Sequence, residues 1–178
     1  MHIPASVKSI GARAFYLCKN LQRVTFAEGS QLREIGREAF WYTSLTNMQI
    51  PASVQSIGER AFCECYNLQR VTFAEGSQLR EIGKMAFYKT GIAEVQIPAS
   101  VQIIGKYAFY YCSNLQRVTF AEGSQLKEIG GGAFYRCKNL VLTLPEGLTS
   151  IGKEWFKGSG IKEVHIPASV QSIGARAF

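Results

Sequence analysis

Five cysteines and two histidines are the residues of this chain best suited to metal or redox chemistry. A recurring phenylalanine is followed, three residues later, by a small and weakly polar side chain. These positions hold Cys18, Thr43, Cys65, Thr90, Cys112, Cys137 and Ser159. Free cysteine packs as a small apolar group. The series therefore predicts one buried column of thiols and hydroxyls with a structural role.

The pair Cys63-x-Cys65 superficially suggests a metal site. A structural zinc site needs four ligands, and no second cysteine pair or histidine cluster accompanies this one. We expect Cys63 to point outward where Cys65 points inward, and we predict no metal and no cofactor. If each repeat forms one coil, a disulfide stays open only for Cys112 and Cys137. Cysteines two coils apart are separated by ~10 Å, beyond the ~7 Å limit between Cα atoms.

Catalytic motifs are missing from the sequence. It contains no Gly-rich phosphate loop, nucleophile elbow or paired carboxylates, and His2 and His165 occupy the same repeat phase near opposite ends. We therefore predict no catalytic residues and a non-enzymatic protein, so function must be sought on the surfaces that a repeated structure presents.

One motif recurs through the whole chain. The pair Ile-Gly begins at positions 10, 35, 57, 82, 104, 129, 151 and 173, in steps of 25 or 22 residues. Five residues after each Ile stands Phe, preceded by Ala, or by Trp155 in the seventh repeat. Long and short units alternate over most of the chain and give a 47-residue module. A short period of this kind indicates a solenoid.

Each unit divides into two parts. Val24 and Phe26 alternate with polar neighbours, which predicts a short strand with one buried face. Ile10, Ala14 and Phe15, followed by a cysteine at offset eight, are spaced as on one face of a short helical turn. A unit this small cannot bury its own apolar face, so the units must stack.

The predicted fold class is an α/β repeat, a curved solenoid of about seven to eight coils of 22 or 25 residues. A parallel sheet of short strands would form the concave side, with short helical turns opposite. Residues 1–178 would form a single domain, cut from or stacked into a longer array. The strand of the sixth coil is one residue short, and the seventh carries Trp155 and Gly158, so local irregularity is expected there.

The repeat Ile-Gly-x-x-Ala-Phe-x-x-Cys-x-x-Leu-x-x-Val-x-Phe/Ile-Pro-x-Ser-Val resembles the BspA-like, or treponemal-type, class of leucine-rich repeats from residue 3 to residue 178. The resemblance implies a surface or secreted protein of bacteria or some protozoa, associated with adhesion and host-matrix binding. It thereby implies an extracellular or cell-surface location.

Two columns of exposed side chains are the candidate binding surfaces. The outward face of the strands would present a polar surface to a protein or glycan partner, with Glu94 ion-paired to Arg70 and Arg117; a soluble face without a ligand is the alternative. The candidate binding residues are Arg23, Asn47, Gln49, Arg70, Thr72, Glu94, Gln96, Arg117, Thr119 and Glu163.

A secondary column of aromatic residues follows the phenylalanines, interleaved with basic residues. It consists of Tyr16, Trp41, Tyr88, Tyr110 and Tyr135. These rings could stack on sugars or single-stranded nucleic acid; the alternative is that they pack on neighbouring coils with their hydroxyls in water. Nucleic acid is disfavoured as a partner, because no recognised module is present.

The net charge and the two ends of the chain bear on possible partners and on assembly. The net charge of +7 is spread over the repeats, which is typical of a solubilising surface. No apolar run is long enough to span a membrane, and the N-terminal residues show no signal peptide. Both ends interrupt a repeat without a polar cap, so three explanations stay open: a fragment of a longer array, a subunit that stacks head-to-tail as a homo-oligomer, or an engineered consensus module.

Overall fold

The computed structural model describes residues 1–138 and 140–178. These residues form a solenoid of sixteen short strands, and every strand pairing is parallel. The strands are β1 (His2–Ile3), β2 (Ser9–Ile10), β3 (Thr25–Phe26), β4 (Glu34–Ile35), β5 (Asn47–Ile50), β6 (Ser56–Ile57), β7 (Arg70–Phe73), β8 (Glu81–Ile82), β9 (Glu94–Ile97), β10 (Ile103–Ile104), β11 (Arg117–Phe120), β12 (Glu128–Ile129), β13 (Leu140–Thr143), β14 (Ser150–Ile151), β15 (Ile161–His165) and β16 (Ser172–Ile173).

Two six-stranded sheets run along the stack. The first sheet, in the order β15-β13-β11-β9-β7-β5, contains the strands predicted from the alternating pattern. The second sheet, β12-β10-β8-β6-β4-β2, is formed by two-residue strands that end at the isoleucine of each Ile-Gly pair. Strands β1 and β3 form a separate pair, as do β14 and β16. The second sheet was not predicted, because two residues are too few to show an alternation.

The predicted helical turns are wrong: the described residues contain no helix. The segment between each Ile-Gly and the next strand, which we call the arc, forms successive tight turns. In the arc of the second coil, the Ala39 amide donates to the Gly36 carbonyl, whereas the Phe40 amide donates at 2.7 Å to the carbonyl of Ala61 in the next coil. Alternate amides thus bond within the coil and between coils, which an α-helix does not allow.

Left-handed residues explain why the arc cannot be helical. Glu38 and Tyr42 have φ of 55°, at the third and seventh positions after the isoleucine. The same two positions have positive φ in the other arcs, at Arg13, Leu17, Arg60, Glu64, Met85, Lys89, Tyr107, Tyr111, Gly132, Arg136, Glu154, Gly158 and Arg176. L-residues avoid this conformation at a cost of about 1–2 kcal/mol each. Packing between coils must hold the arc in place.

The core is a continuous column of phenylalanine rings. They stack from Phe15 to Phe178 with centroids 5.0–5.9 Å apart, and the six inner rings are fully buried. Each buried ring contributes about 1.5–3 kcal/mol relative to an exposed one. The stacking repeats the predicted Phe period and fixes the register of one coil on the next.

In six of the Ile-Gly pairs the glycine allows the coils to approach closely: Gly36, Gly58, Gly83, Gly105, Gly130 and Gly174. A Cβ atom added to Gly83 would lie 2.6 Å from the Ile57 carbonyl oxygen, and one added to Gly130 would lie 2.3 Å from the Lys106 amide nitrogen. Both distances are too short for any side chain. Glycine is therefore needed at these positions because the backbone of the preceding coil occupies the space.

The irregularity predicted near the sixth and seventh coils is present. The pairing of β13 with β15 shifts register between Leu140 and Val141. Trp155 is buried where other coils have alanine, and its indole lies where a Cβ of Gly152 would be. Likewise, the Tyr135 ring occupies the space beside Gly158. Large side chains in one coil are thus accommodated by glycines in contact with them.

Candidate binding surface

The outward face of the first sheet carries the predicted binding residues in register. Asn47 pairs with Arg70, Arg70 with Glu94, and Glu94 with Arg117 across neighbouring strands. The residues that alternate with them along each strand, such as Met48, are buried, since successive side chains of a strand point to opposite faces. The predicted polar columns therefore share one exposed face.

Six of these residues line a groove with a volume of about 790 Å³. They are Arg70, Thr72, Glu94, Gln96, Arg117 and Thr119. The other four candidates, Arg23, Asn47, Gln49 and Glu163, lie outside the groove lining. The structure thus brings together the residues in the central part of the predicted surface, and the residues at its two ends lie outside the groove.

Turns also line this groove, and they were not among the predicted binding residues. They are the turn Ala74–Ser77, in which Gly76 has φ of 71°, and the segment Pro98, Ala99 and Ser100, which follow the ends of the adjacent parallel strands β7 and β9. The extra residues that long units carry after their strand were the available signal, because they form the turn beyond the end of the strand.

The ion pairs expected along the sheet face do not form. Among the residues that the structure describes, Glu94 has no ion pair with Arg70 or Arg117, and all three side chains are exposed. An exposed pair contributes only about 0–1 kcal/mol, so full solvation competes with pairing. The groove therefore presents both signs of charge to the solvent.

Ion pairs are found on the arcs instead. Glu38 is almost completely buried and accepts a hydrogen bond from Arg13 at 2.5 Å, with Arg37 at 3.3 Å. Burial favours the neutral acid, but the hydrogen bonds and charges of the two arginines outweigh it, so the pKa of Glu38 lies below its ordinary value. Glu38 stands at a left-handed arc position, which brings its carboxylate between two coils. Glu38 was not among the residues predicted from the sequence.

The aromatic column forms two groups of rings in contact. Tyr16 contacts Trp41 edge-to-face at 5.7 Å, and Tyr88, Tyr110 and Tyr135 stack nearly parallel at 5.4 and 5.0 Å. The inner rings therefore cover the faces of one another. Stacking of a sugar or base between these rings is excluded at that spacing, and the ring edges remain for contact.

The cysteine column is buried in the middle coils, as predicted, but Cys18 in the first coil is exposed and departs from that prediction. Cys65 and Cys112 each donate to a phenylalanine carbonyl at 3.0 Å and contact a threonine hydroxyl at 3.2 Å. Burial raises the pKa of Cys112 to about 11. All five cysteines are free thiols, including Cys112 and Cys137 in neighbouring coils. The buried thiols have low reactivity because burial disfavours the thiolate.

Cys63 corrects one expectation. It is 2% exposed and does not point into solvent, and burial raises its pKa to about 12. As the smallest side chain in a column of tyrosines and tryptophan, it lies below the level of its neighbours. The described residues contain no group of three potential metal ligands. They also include no helix long and apolar enough to cross a bilayer.

Comparisons with known proteins support the repeat assignment. The family model for BspA type leucine-rich repeat regions matches residues 1–116 and 80–178 in six copies. No curated protein matches the chain. The structure is similar to the T. pallidum leucine-rich repeat protein, with a TM-score of 0.75 and 31% identity over 93% of this chain and 77% of that one.

Two further solved structures extend the similarity. The leucine-rich cell surface protein of Faecalibacterium prausnitzii has a TM-score of 0.55 and 28% identity, over 99% of this chain. The pneumococcal vaccine antigen PcpA shares the fold, with a TM-score of 0.60 and 24% identity over 97% of this chain. The chain spans 57% of the length of each of these two proteins. With the family model matched along its whole length, the chain belongs to the BspA-type leucine-rich-repeat family.

Proposed function

We propose that this protein is a non-enzymatic interaction and adhesion module of a bacterial surface or secreted protein, and that it binds a protein partner through the groove on the first sheet. The observation that carries the proposal is the unpaired row of Arg70, Glu94 and Arg117 in that groove. Charges without internal partners are available to charges of the opposite sign on a ligand.

The composition of the groove favours a protein over a glycan. Its strands present cation, anion and cation in turn, and the residues after the strand ends add apolar groups from Ala74, Pro98 and Ala121. A protein surface offers both charge signs together with apolar side chains, which is the usual composition of an interface. The names of two similar structures, a vaccine antigen and a cell surface protein, support an extracellular setting.

The test compares two triple variants for binding to immobilised matrix proteins, with laminin, collagen and fibronectin as probes and a neutral glycan array alongside. The groove variant is Arg70→Gln, Glu94→Gln and Arg117→Gln. The control variant, Arg33→Gln, Glu34→Gln and Lys127→Gln, removes two cations and one carboxylate from exposed positions outside the groove. We expect the groove variant to lose about tenfold or more in affinity, since hot-spot truncations exceed ~1.4 kcal/mol.

Two results would overturn this proposal. One is a wild-type protein that is folded and binds none of the probes at micromolar concentration. The other is an equal loss of affinity in both triple variants, which would assign binding to overall charge. Binding to neutral glycans alone would replace the protein partner with a carbohydrate.

A second candidate function is head-to-tail self-assembly. Apolar side chains are exposed on the first and last described coils, with Leu17 at 47%, Ile173 at 55% and Phe178 at 48%. A second copy stacked in parallel would cover them and pair the outermost strands. Sedimentation velocity over a hundredfold concentration range tests this, and a strictly monomeric profile would rule it out.

A further inference from the structure

A cluster of four tyrosines and two cations lies on the arcs of the fifth and sixth coils, away from the groove. Tyr110 stacks on Tyr135 at 5.0 Å and meets Tyr107 and Tyr111 edge-to-face at 5.0 and 4.8 Å. Tyr107 and Tyr111 occupy left-handed positions, so their rings project beside the column and not along it. We call Lys106, Tyr107, Tyr110, Tyr111, Tyr135 and Arg136 the tyrosine patch.

The two cations of the patch rest on aromatic rings. The Lys106 ammonium lies 4.9 Å from the centroid of Tyr107, and the Arg136 guanidinium lies 5.6 Å from Tyr135 and 5.9 Å from Tyr111. Both residues are exposed. Ring faces attract a cation without neutralising its charge, so both keep a full positive charge at a fixed place.

Many other arc cations have a carboxylate nearby. Among the described residues, six arc cations lie within 4.0 Å of a carboxylate: Arg13, Arg37, Arg60, Lys84, Lys89 and Lys157. Neither Lys106 nor Arg136 has such a partner in the described part of the chain. Lys19 also lies over a ring without such a partner, 5.2 Å from the centroid of Tyr42. The patch differs from that site because it brings two such cations together with four tyrosines.

We propose that the tyrosine patch binds an acidic polysaccharide through its carboxylate or sulfate groups. A guanidinium presents a planar fork of donors that fits two oxygens of such a group. Phenol hydroxyls at neighbouring ring edges can donate to the same oxygens or to sugar hydroxyls. Lys106 and Arg136 lie on adjacent coils, so the patch offers two cations to a ligand that carries more than one anionic group.

Single-stranded nucleic acid fits the patch less well. Its binding relies on open aromatic faces on which bases stack. Tyr110 has Tyr88 at 5.4 Å on one face and Tyr135 at 5.0 Å on the other, so neither face is open. What the patch offers to a ligand is hydrogen bonding and charge, and an acidic polysaccharide uses both.

The experiment measures binding of heparin as the sulfated probe, polygalacturonate as the carboxylated probe, neutral dextran, and oligo-dT, at about 50 and 200 mM salt. The patch variant is Lys106→Gln with Arg136→Gln. The matched control, Lys127→Gln with Arg33→Gln, removes the same two residue types from exposed positions elsewhere. Circular dichroism and urea midpoints verify that both variants fold.

We expect wild type to bind at least one acidic polysaccharide and not dextran. The patch variant should lose about tenfold or more in affinity, with a shallower dependence on salt because fewer counterions are released. The control should stay within about twofold, as exposed charges away from the site act only weakly. The groove variant described above should bind as wild type does, which separates this site from the proposed function.

Four outcomes would overturn the proposal: no binding of either acidic polysaccharide, equal losses in the patch and control variants, equal binding of dextran, or tighter binding of oligo-dT than of both polysaccharides. A preference between heparin and polygalacturonate would identify the anionic group that the patch takes.

Discussion

The glycine of each Ile-Gly pair offers a direct test of how closely the coils pack. Gly83→Ala is expected to destabilise the protein, whereas Gly11→Ala is not. The two glycines share one repeat position, but a Cβ at Gly83 would meet the preceding coil and a Cβ at Gly11 would meet nothing within 4 Å. The comparison isolates the contact between coils from the intrinsic preference for glycine.

The size of the effect follows from the distances. A Cβ at Gly83 would lie 2.6 Å from the Ile57 oxygen and 2.7 Å from the Gly58 carbonyl carbon, and the Gly83 amide donates to that same oxygen at 2.7 Å. Overpacking costs about 1–3 kcal/mol and a weakened hydrogen bond about 0.5–1.5 kcal/mol. Reduced freedom of the unfolded chain returns about 0.4–1 kcal/mol. We expect a net loss of about 1–3 kcal/mol for Gly83→Ala, and a neutral or slightly positive effect for Gly11→Ala.

Urea titration checks this, followed by far-ultraviolet circular dichroism and by tryptophan fluorescence. Solenoid stability is a sum over coils and their interfaces, so the loss can appear as a lower midpoint or as two separated transitions. An unchanged Gly83→Ala midpoint, or an equal loss in Gly11→Ala, would refute the close approach of the backbones.

Three further predictions concern the arcs and the thiols. Met85→Gly, at a φ of 54°, should stabilise the protein by about 0.5–1 kcal/mol because it removes left-handed strain, while Lys84→Gly beside it should destabilise the protein. Thermal melts of both variants test this. Changes in melting temperature of the same sign in both variants would contradict the strain argument. Glu38→Gln should lower stability at neutral pH and flatten its acid dependence. Ionised Glu38, with its lowered pKa, stabilises the fold above the unfolded pKa of ~4.3 and loses this effect as pH falls through the folded pKa; urea midpoints between neutral pH and about pH 3 test this, and an unaltered pH profile would count against it. Iodoacetamide at neutral pH should label the exposed Cys18 in the folded protein, whereas the buried Cys112, with its raised pKa, should react only in urea. Mass spectrometry after each reaction measures the labelling. Labelling of Cys112 in the folded protein would show that it is not buried.

The strands of the first sheet could be predicted from sequence because the equivalents of Val24 and Phe26, such as Val71 and Phe73, alternate with polar residues. The arc could not, because Ala and Phe at adjacent positions fit a helical face equally well. The informative residues were Gly132 and Gly158. Gly132 occupies the first left-handed position of its arc, and Gly158 occupies the second left-handed position of the next arc. Elsewhere those positions carry Glu, Arg, Tyr, Lys, Leu or Met, whose identity gives no sign of positive φ.

The strand residues of the candidate surface could be predicted from the repeat period, whereas the turn residues that line the groove could not. Arg70, Glu94 and Arg117 follow from strand register alone. The groove is also lined by the turn Ala74–Ser77, whose position relative to the sheet depends on the backbone conformation of the turn. The expected ion pairs of Glu94 with Arg70 and Arg117 do not form because solvation of exposed charges competes with pairing, and a pattern of opposite charges in the sequence does not reveal this.

The stacking of coils along one axis has a mechanical consequence. A force that separates the first and last described coils acts along the hydrogen bonds between coils, so these bonds are loaded a few at a time and not in shear. Each coil that detaches releases 22 or 25 residues, or about 70–90 Å of extended chain, in place of the ~4.8 Å it occupied. Under tension the solenoid would lengthen in steps of one coil, and a bound partner would feel a lower peak force than a rigid tether transmits.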